Sequence, residues 1–302
     1  MTKLIIPQAL KPGDQVAIIS TARSIDPEKL HDAIQLLEKW GLICKEGRNL
    51  RRVFNQFAGT IEERASDLQW AITEENIKGI ICFRGGYGTV QIIDKVNFKP
   101  LLTNPKWICG YSDITVLHNK VHSMGIASLH STMPINFKDN TSDSLRTLSN
   151  SLFEKQVNLL SSASKFNKAG KCNGQAVGGN LSIIYSLSGT NMDLDTKGKI
   201  LFLEDLDEYL YHIDRMMHNL KKSGKLQELA GLVVGAMTDM RDNQIPFGKT
   251  AYEIIQEATA EFTYPVCYDF PFGHIDDNQS IILGMNYNLS VTLDGGVLRI
   301  SE

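Results

Sequence analysis

The stretch Lys106-Trp-Ile-Cys-Gly-Tyr-Ser-Asp-Ile-Thr115 runs from a short apolar segment through a glycine to a serine, and then into a helical pattern. An apolar run broken at glycine and followed at once by a helix is a βα unit, with the serine on its turn. The same grammar recurs upstream. Gln15-Val-Ala-Ile-Ile-Ser20 follows the turn signal Pro12-Gly13-Asp14 and predicts a buried strand. Residues 27–40 place Leu30, Ile34, Leu37 and Trp40 at helical spacing, and Gly41 stops the helix. Thr60-Ile-Glu-Glu63 has the form of a capping box and predicts a helix to about residue 76. Gly79-Ile-Ile-Cys-Phe83 reads as the next strand, followed by a glycine-rich turn and a helix around 90–96; another helix is expected over 113–124. Strands alternating with helices predict a parallel sheet covered on both faces. In such sheets, sites form where strand C-termini meet helix N-termini.

Residues 136–171 are richer in Ser, Asn, Asp and Lys; a helix is expected at 142–154 and a linker around it. Beyond lie expected strands at 199–203, 231–237 and 265–269, with helices at 209–222 and 250–261. The tail offers Ser280-Ile-Ile-Leu283, then Leu289-Ser-Val-Thr-Leu293, Asp294-Gly-Gly296 and Val297-Leu-Arg-Ile300, a hairpin signal. The expected fold class is α/β: an N-terminal parallel-sheet domain over 1–135, a linker region over 136–171, and a mixed, β-rich C-terminal domain over 172–302.

Composition narrows the function. The 302 residues are 42% hydrophobic and 22% charged, as in a soluble globular protein with a buried core. A formal net charge of -3 gives no electrostatic reason to expect nucleic acid or an anionic membrane as partner. The opening Met1-Thr-Lys-Leu-Ile-Ile-Pro7 holds an apolar stretch too short for a signal-peptide core, and no apolar run approaches the ~20 residues of a membrane span. Cys44, Cys82, Cys109, Cys172 and Cys267 are scattered, without a C-x-x-C pair, and read as reduced, mostly buried thiols. The expected location is the cytoplasm.

Four features can carry chemistry. Ser112 on its strand–turn–helix has the setting of a nucleophile elbow, with helix N-terminal amides behind it. Ile114 stands where the last glycine of G-x-S-x-G would be, and the alternative is that Ser112 or Asp113 only caps the helix. Arg84-Gly-Gly-Tyr-Gly88 lets backbone approach a ligand; it can be a phosphate cradle, half of an oxyanion hole, or a tight turn. His274, in Phe270-Pro-Phe-Gly-His274-Ile-Asp-Asp277, is framed by turn residues. His31, His118, His122, His212 and His218 fall on predicted helices, and His130 is a secondary candidate at a strand end. Glu204 ends an apolar strand, where it can orient a histidine or remain a solvated acid; Asp205 and Asp207 are expected to cap the helix that follows. No H-E-x-x-H pair is present and His274 has no neighbouring His or Cys, so neither metal nor cofactor is expected.

The ordered blocks Arg84-Gly-Gly-Tyr-Gly88, Gly110-Tyr-Ser-Asp-Ile-Thr115, Gly178-Gly-Asn-Leu181, Phe202-Leu-Glu-Asp205 and Phe272-Gly-His274 together resemble the LD-carboxypeptidase family of serine peptidases. That family spans muramoyltetrapeptide carboxypeptidases and microcin C immunity peptidases, and the resemblance covers nearly the whole chain. It implies a glutamine-amidotransferase-like N-terminal domain, a homodimer, and release of the terminal D-alanine from murein tetrapeptide in cell-wall recycling. It further implies Ser112 as nucleophile, Glu204 and His274 as acid and base, and the Gly86 and Asp113 amides as oxyanion hole. A cleft between the domains would then be the natural site. Arg84 is the candidate partner for a substrate carboxylate, since a bidentate guanidinium fits that group; a structural ion pair is its alternative. Competing readings are a peptidase for aminoacyl-nucleotide analogues, and a non-catalytic module that binds phosphate through Gly85-Gly-Tyr-Gly88. With no ligand cluster in the sequence, hydrolysis is expected to survive dialysis against a strong chelator; activity lost there and restored by zinc would assign His274 to a metal instead.

Overall fold

The computed structural model describes residues 4–301; Met1, Thr2 and Lys3 of the opening segment, and Glu302, lie outside the described residues. Two compact units divide the chain: Met1–Gln156 with Gln279–Gly284, and Val157–Asn278 with Met285–Glu302. The division falls inside the 136–171 stretch expected as linker.

In chain order the first unit carries β1 (Gln15–Ile19), α1 (Pro27–Lys39), β2 (Ile43–Glu46), α2 (Ile61–Thr73), β3 (Ile77–Cys82) and α3 (Thr89–Ile92). It continues with β4 (Trp107–Gly110), α4 (Thr115–Ser123), β5 (Ser128–His130) and α5 (Ser142–Phe153). The second unit begins with β6 (Asn158–Leu160), β7 (Gly170–Asn180), α6 (Leu181–Ser186), β8 (Ile200–Leu206) and α7 (Leu210–Lys222). It goes on through β9 (Gly231–Thr238), α8 (Ala251–Thr259) and β10 (Val266–Cys267). The chain then returns to the first unit for β11 (Ile281–Leu283) before closing the second with β12 (Asn286–Thr292) and β13 (Gly295–Ile300).

The first sheet has the order β11-β5-β4-β3-β1-β2. All its pairs are parallel except β11 against β5. From β1 the chain moves outward to β2 and then back across β1 to β3, so the strand order reverses between β1 and β3. Both central strands are apolar and buried, as a doubly covered sheet demands. The helices form for legible reasons. Asp26 caps α1 by accepting from the Glu28 and Lys29 amides, and Leu30, Ala33 and Leu37 face the core. Thr60 and Glu63 complete the expected capping box of α2.

The second sheet runs β10-β9-β8-β7-β12-β13-β6. Its β7–β10 half is parallel, and β7, β12, β13 and β6 pair antiparallel, which makes the unit mixed as expected. Side chains alternate along β8. Leu201 and Leu203 join Ile213, Met216 and Met217 of α7 in the helix-side core, whereas Phe202 meets Phe272 edge-on at 5.7 Å.

Several expectations change. The helix expected at 90–96 is only the single turn of α3 plus a 3-10 turn over Ile93–Lys95, in a segment of β-branched residues. A 3-10 turn over Ser112–Ile114 precedes α4. The strand at 265–269 shrinks to Val266–Cys267, and β8 extends past 203 to take in Glu204 and Asp205. The Ser280–Leu283 segment, expected within 172–302, pairs with β5 of the first sheet (Ile281 opposite His130). The eleven-residue β7 was not anticipated, because its four glycines suppress a strand reading. Those glycines have work to do. Gly178 sits at φ +130°, and a Cβ there would run into the Phe202 carbonyl on β8. Gly178→Ala is therefore expected to cost about 3 kcal/mol or more, since backbone cannot yield as a side-chain tip can. A thermal melt unchanged within a degree or two would overturn this account of β7.

Candidate active site

In the first unit, β4 ends at Gly110 and the chain turns sharply. Gly110 has φ +153°, and a Cβ there would lie 2.8 Å from Ile114 Cγ1. Ser112 has φ +64°, a left-handed backbone that residues with a Cβ rarely adopt. The strained strand–turn–helix has the form expected of a nucleophile elbow, and Ser112 is only half-buried on it. Tyr111 is the residue that precedes the 3-10 turn, and no side-chain cap is made there, so Ser112 does not serve as one. Asp113 is buried and caps a different helix: its Oδ2 accepts the Thr89 amide of α3 at 2.9 Å. Burial raises the Asp113 carboxyl, against hydrogen bonds from Thr89 and Gly88 and the charge of Arg64. That bond ties the serine turn to the glycine-rich turn. A Cβ on Gly85 would stand 3.2 Å from Ser112 Oγ and 3.3 Å from the Asp113 amide nitrogen, so a side chain there would press on the serine turn.

Sequence reasoning missed what lies behind the turn. His118 is buried on α4 with Nε2 2.8 Å from the Gly110 carbonyl and Nδ1 2.9 Å from Ser128 Oγ. Burial and the neighbouring His130 pull its pKa down to about 3, so the ring is neutral and donates to Gly110 from Nε2. His130 is buried too, 6.2 Å from the His118 ring centre and 6.0 Å from Tyr111. Both are support for the elbow. The only hint in the sequence is that His118 lies two helical turns after Gly110.

In the second unit, Glu204 is wholly buried on β8, and its Oε2 lies 2.6 Å from Nδ1 of His274. His274 follows β10 on an irregular loop stitched to β9. The Phe270 amide donates to Val234 O, the Ala236 amide to Phe272 O, and Thr238 Oγ1 to His274 O. Gly273, at φ +103°, lets the loop touch Glu204; a Cβ there would be 2.7 Å from Glu204 Cβ. Burial pulls the imidazole down. The charge and hydrogen bond of Glu204, with the charge of Asp205, more than offset that, so the His274 pKa stands above its ordinary value.

The expected capping by Asp205 and Asp207 is not what the structure shows. Asp205 is buried and receives the Ser182 amide, Asn180 Nδ2 and the Leu206 amide at 2.9 Å each, which binds β8 to the start of α6. Burial and the adjacent Glu204 push its carboxyl up to about 7, against those three donors. Asp207, at φ +62°, pairs with Arg241 through both guanidinium nitrogens, and α7 has no side-chain cap. Arg84 is half-buried after β3 and gives one hydrogen bond, to Ser24 O at 3.2 Å; it enters no salt bridge among the described residues. Among the described residues no three His, Cys, Asp or Glu gather to hold a metal ion. None of their helices is long and apolar enough to cross a membrane.

Comparison with known proteins gives a consistent picture. Residues 16–131 match the LD-carboxypeptidase N-terminal domain, and 173–289 match the LD-carboxypeptidase C-terminal domain. A probable murein peptide carboxypeptidase of Bacillus subtilis is 32% identical, covering 92% of this chain and 89% of its own. The crystal structure of a muramoyltetrapeptide carboxypeptidase from Oxalobacter formigenes superposes with a TM-score of 0.87 at 26% identity, over 95% of this chain and 99% of that one. The microcin C7 self-immunity protein MccF shares the fold, with a TM-score of 0.86 at 18% identity over 99% of this chain and 98% of its own.

The geometry of the second unit sets a pH expectation. A His pKa raised by Glu204 must be exceeded before the ring can accept a proton, so an activity that needs neutral His274 rises at a higher pH than an isolated imidazole would give. Glu204→Gln keeps the shape and removes the charge, so the His274 titration, followed by ring-proton NMR, is expected to move to lower pH. An unmoved titration would make Glu204 a spectator.

Proposed function

The chain belongs to the LD-carboxypeptidase family, and on that premise we propose that it is a serine peptidase that removes the terminal D-alanine from murein tetrapeptide. The observation that carries this reading is the buried 2.6 Å pair of Glu204 and His274, a carboxylate–imidazole couple of the kind that makes a histidine a general base. Ser112 on its strained turn is the nucleophile in the same reading. His274 takes the Ser112 proton through Nε2 as Oγ attacks the carbonyl carbon of the L,D-peptide bond. The proton then passes to the departing D-alanine amine, leaving an acyl ester on Ser112. Water, deprotonated by the same ring, hydrolyses that ester and regenerates the serine.

Glu204 holds the ring by Nδ1 and balances the imidazolium that forms in each half-reaction. The Gly86 and Asp113 amides receive the oxyanion, a contribution typically worth about 3 kcal/mol per donor. Gly86 has φ +109°, a backbone that glycine alone adopts without strain. Arg84 faces the substrate's terminal carboxylate. The cytoplasm fits as the place of action, since all five cysteines are free thiols, and the product chemistry fits reuse of cell-wall peptides.

Incubation with purified murein tetrapeptide is expected to release D-alanine, seen as a mass loss in the peptide. Ser112→Ala should keep the fold, because a half-buried turn serine contributes little packing, yet lose at least about 10³-fold in turnover. A well-folded Ser112→Ala protein that still releases D-alanine at a substantial rate would remove Ser112 from the mechanism.

A further inference from the structure

Strand order in the first sheet reverses between β1 and β3, and in an open α/β sheet the crevice beyond the carboxyl ends of such strands is where ligands bind. Two arginines stand there. Arg23 follows β1 and Arg84 follows β3, and the two turns are held level by the Phe83 amide donating to Ile19 O at 2.7 Å. The Arg23 stem lies across Gly86: a Cβ on that glycine would be 2.7 Å from Arg23 Cδ and 2.8 Å from Nε. Gly85, next in the chain, abuts Ser112. The Arg23 stem therefore lies on the glycine turn that abuts Ser112, and Arg84 Nη1 reaches Ser24 O, the residue after Arg23, so the two arginines share that corner of the sheet.

Neither arginine enters a salt bridge among the described residues, and Arg84 has one hydrogen bond, to a backbone carbonyl. Burial, and after it the charge of Arg23, lowers the Arg84 pKa, while Asp26 opposes both. The Asp26 carboxylate is already occupied as the cap of α1. Two like charges side by side, one half-buried, are unfavourable unless an anion joins them. The turn that carries Arg23 is also fixed before any ligand arrives. Ser24 N bonds Gln56 O at 2.9 Å, Ala58 N bonds Ala22 O at 3.0 Å, and Ser20 Oγ bonds Arg23 O at 2.7 Å.

We propose that Arg23 joins Arg84 in a two-guanidinium clamp for the terminal carboxylate of the peptide substrate, so that Arg23 is a specificity residue selecting free carboxyl ends over amidated or extended ones. The inference rests on the peptidase reading of Ser112 and adds to it the basis of exopeptidase selectivity. A carboxylate held by two planar forks is fixed in position as well as in charge, which sets how far from the chain end the scissile carbonyl falls.

Binding to the full-length Ser112→Ala protein, measured by calorimetry, separates this role from catalysis. Murein tetrapeptide with a free terminal carboxylate is expected to bind at least about tenfold tighter than the same peptide amidated at that end. Adding Arg23→Gln should weaken the free acid by about 10- to 100-fold and leave the amide unchanged, and Arg23→Lys should recover part of the loss. Equal weakening of acid and amide, no change in either, or a Ser112→Ala protein that does not prefer the acid would each overturn the clamp. If the parent enzyme releases D-alanine while Arg23→Gln leaves the preference intact, the clamp fails alone. If the parent releases none while the Arg23-dependent preference holds, the clamp stands and the peptidase reading fails.

Discussion

A carboxylate with no exposure to water, placed in the middle of an apolar strand, is the constraint around which the second unit is arranged. Glu204 follows Leu201, Phe202 and Leu203, all buried, and an unpaired charge in such surroundings costs several kcal/mol. His274 supplies the compensating partner, and everything about its loop serves that contact. Gly273 removes the side chain that would hold the loop away, and its amide donates to Asn278 Oδ1 at 2.9 Å. The bonds to β9 fix the loop's height along the sheet. Because strand side chains alternate, Asp205 points to the opposite face, where it organises the start of α6 instead of competing for the imidazole. Two adjacent acids thus have separate duties, and Gly178 lets β7 lie against the Phe202 backbone of β8, beside Asn180 and its bond to Asp205.

The first unit solves a different problem, that of holding a serine in a backbone conformation it does not favour. The positive φ of Ser112 persists because its neighbours leave no alternative. Gly110 allows the close approach of Ile114, its carbonyl is gripped by His118 and by the Ser131 amide, and Asp113 is anchored to α3. A neutral His118 suits this task, since a buried imidazolium would need a counter-charge next to Ser112. The histidine is thereby structural, although it lies nearer in sequence to Ser112 than His274 does.

Much of this was legible beforehand because it is local. Alternating strands and helices, the capping box at Thr60, the serine after Gly110 and the acid that follows an apolar run are short-range signals, and each names its own element. The resemblance carried by the five ordered blocks added what local patterns could not, the pairing of Glu204 with His274 across seventy residues. What stayed hidden was decided by distant partners. β7 reads as a broken strand until the Phe202 carbonyl beside Gly178 is seen, and β11 gives no sign in its own residues that it will pair with β5, far earlier along the chain in the same unit. Asp205 looked like a helix cap because acids near helix starts usually are; the helix it serves lies before it in sequence. Arg23 drew no notice since a single exposed arginine on a turn carries no pattern, and only the strand order places it beside Arg84.

The two halves of the proposed chemistry are each pre-organised within one unit. Every bond named here for the Ser112 turn comes from residues 4–156, and every one named for His274 from residues 157–278. Strain in the elbow and burial of the acid are therefore met by separate cores, and a lesion in one need not loosen the other. That division has a chemical use. His274, the proposed base, is tuned by a carboxylate buried among β8 and its neighbours, all within its own unit. The turns after β1 and β3 instead carry positive groups, Arg23 and Arg84, neither of which enters a salt bridge among the described residues. In the proposed chemistry, the negative charge of Glu204 strengthens proton uptake by His274, and the arginines beside the serine turn would receive a carboxylate. Reversing the charge behind the imidazole would undo the proposed base, since a cation in place of Glu204 would depress the His274 pKa.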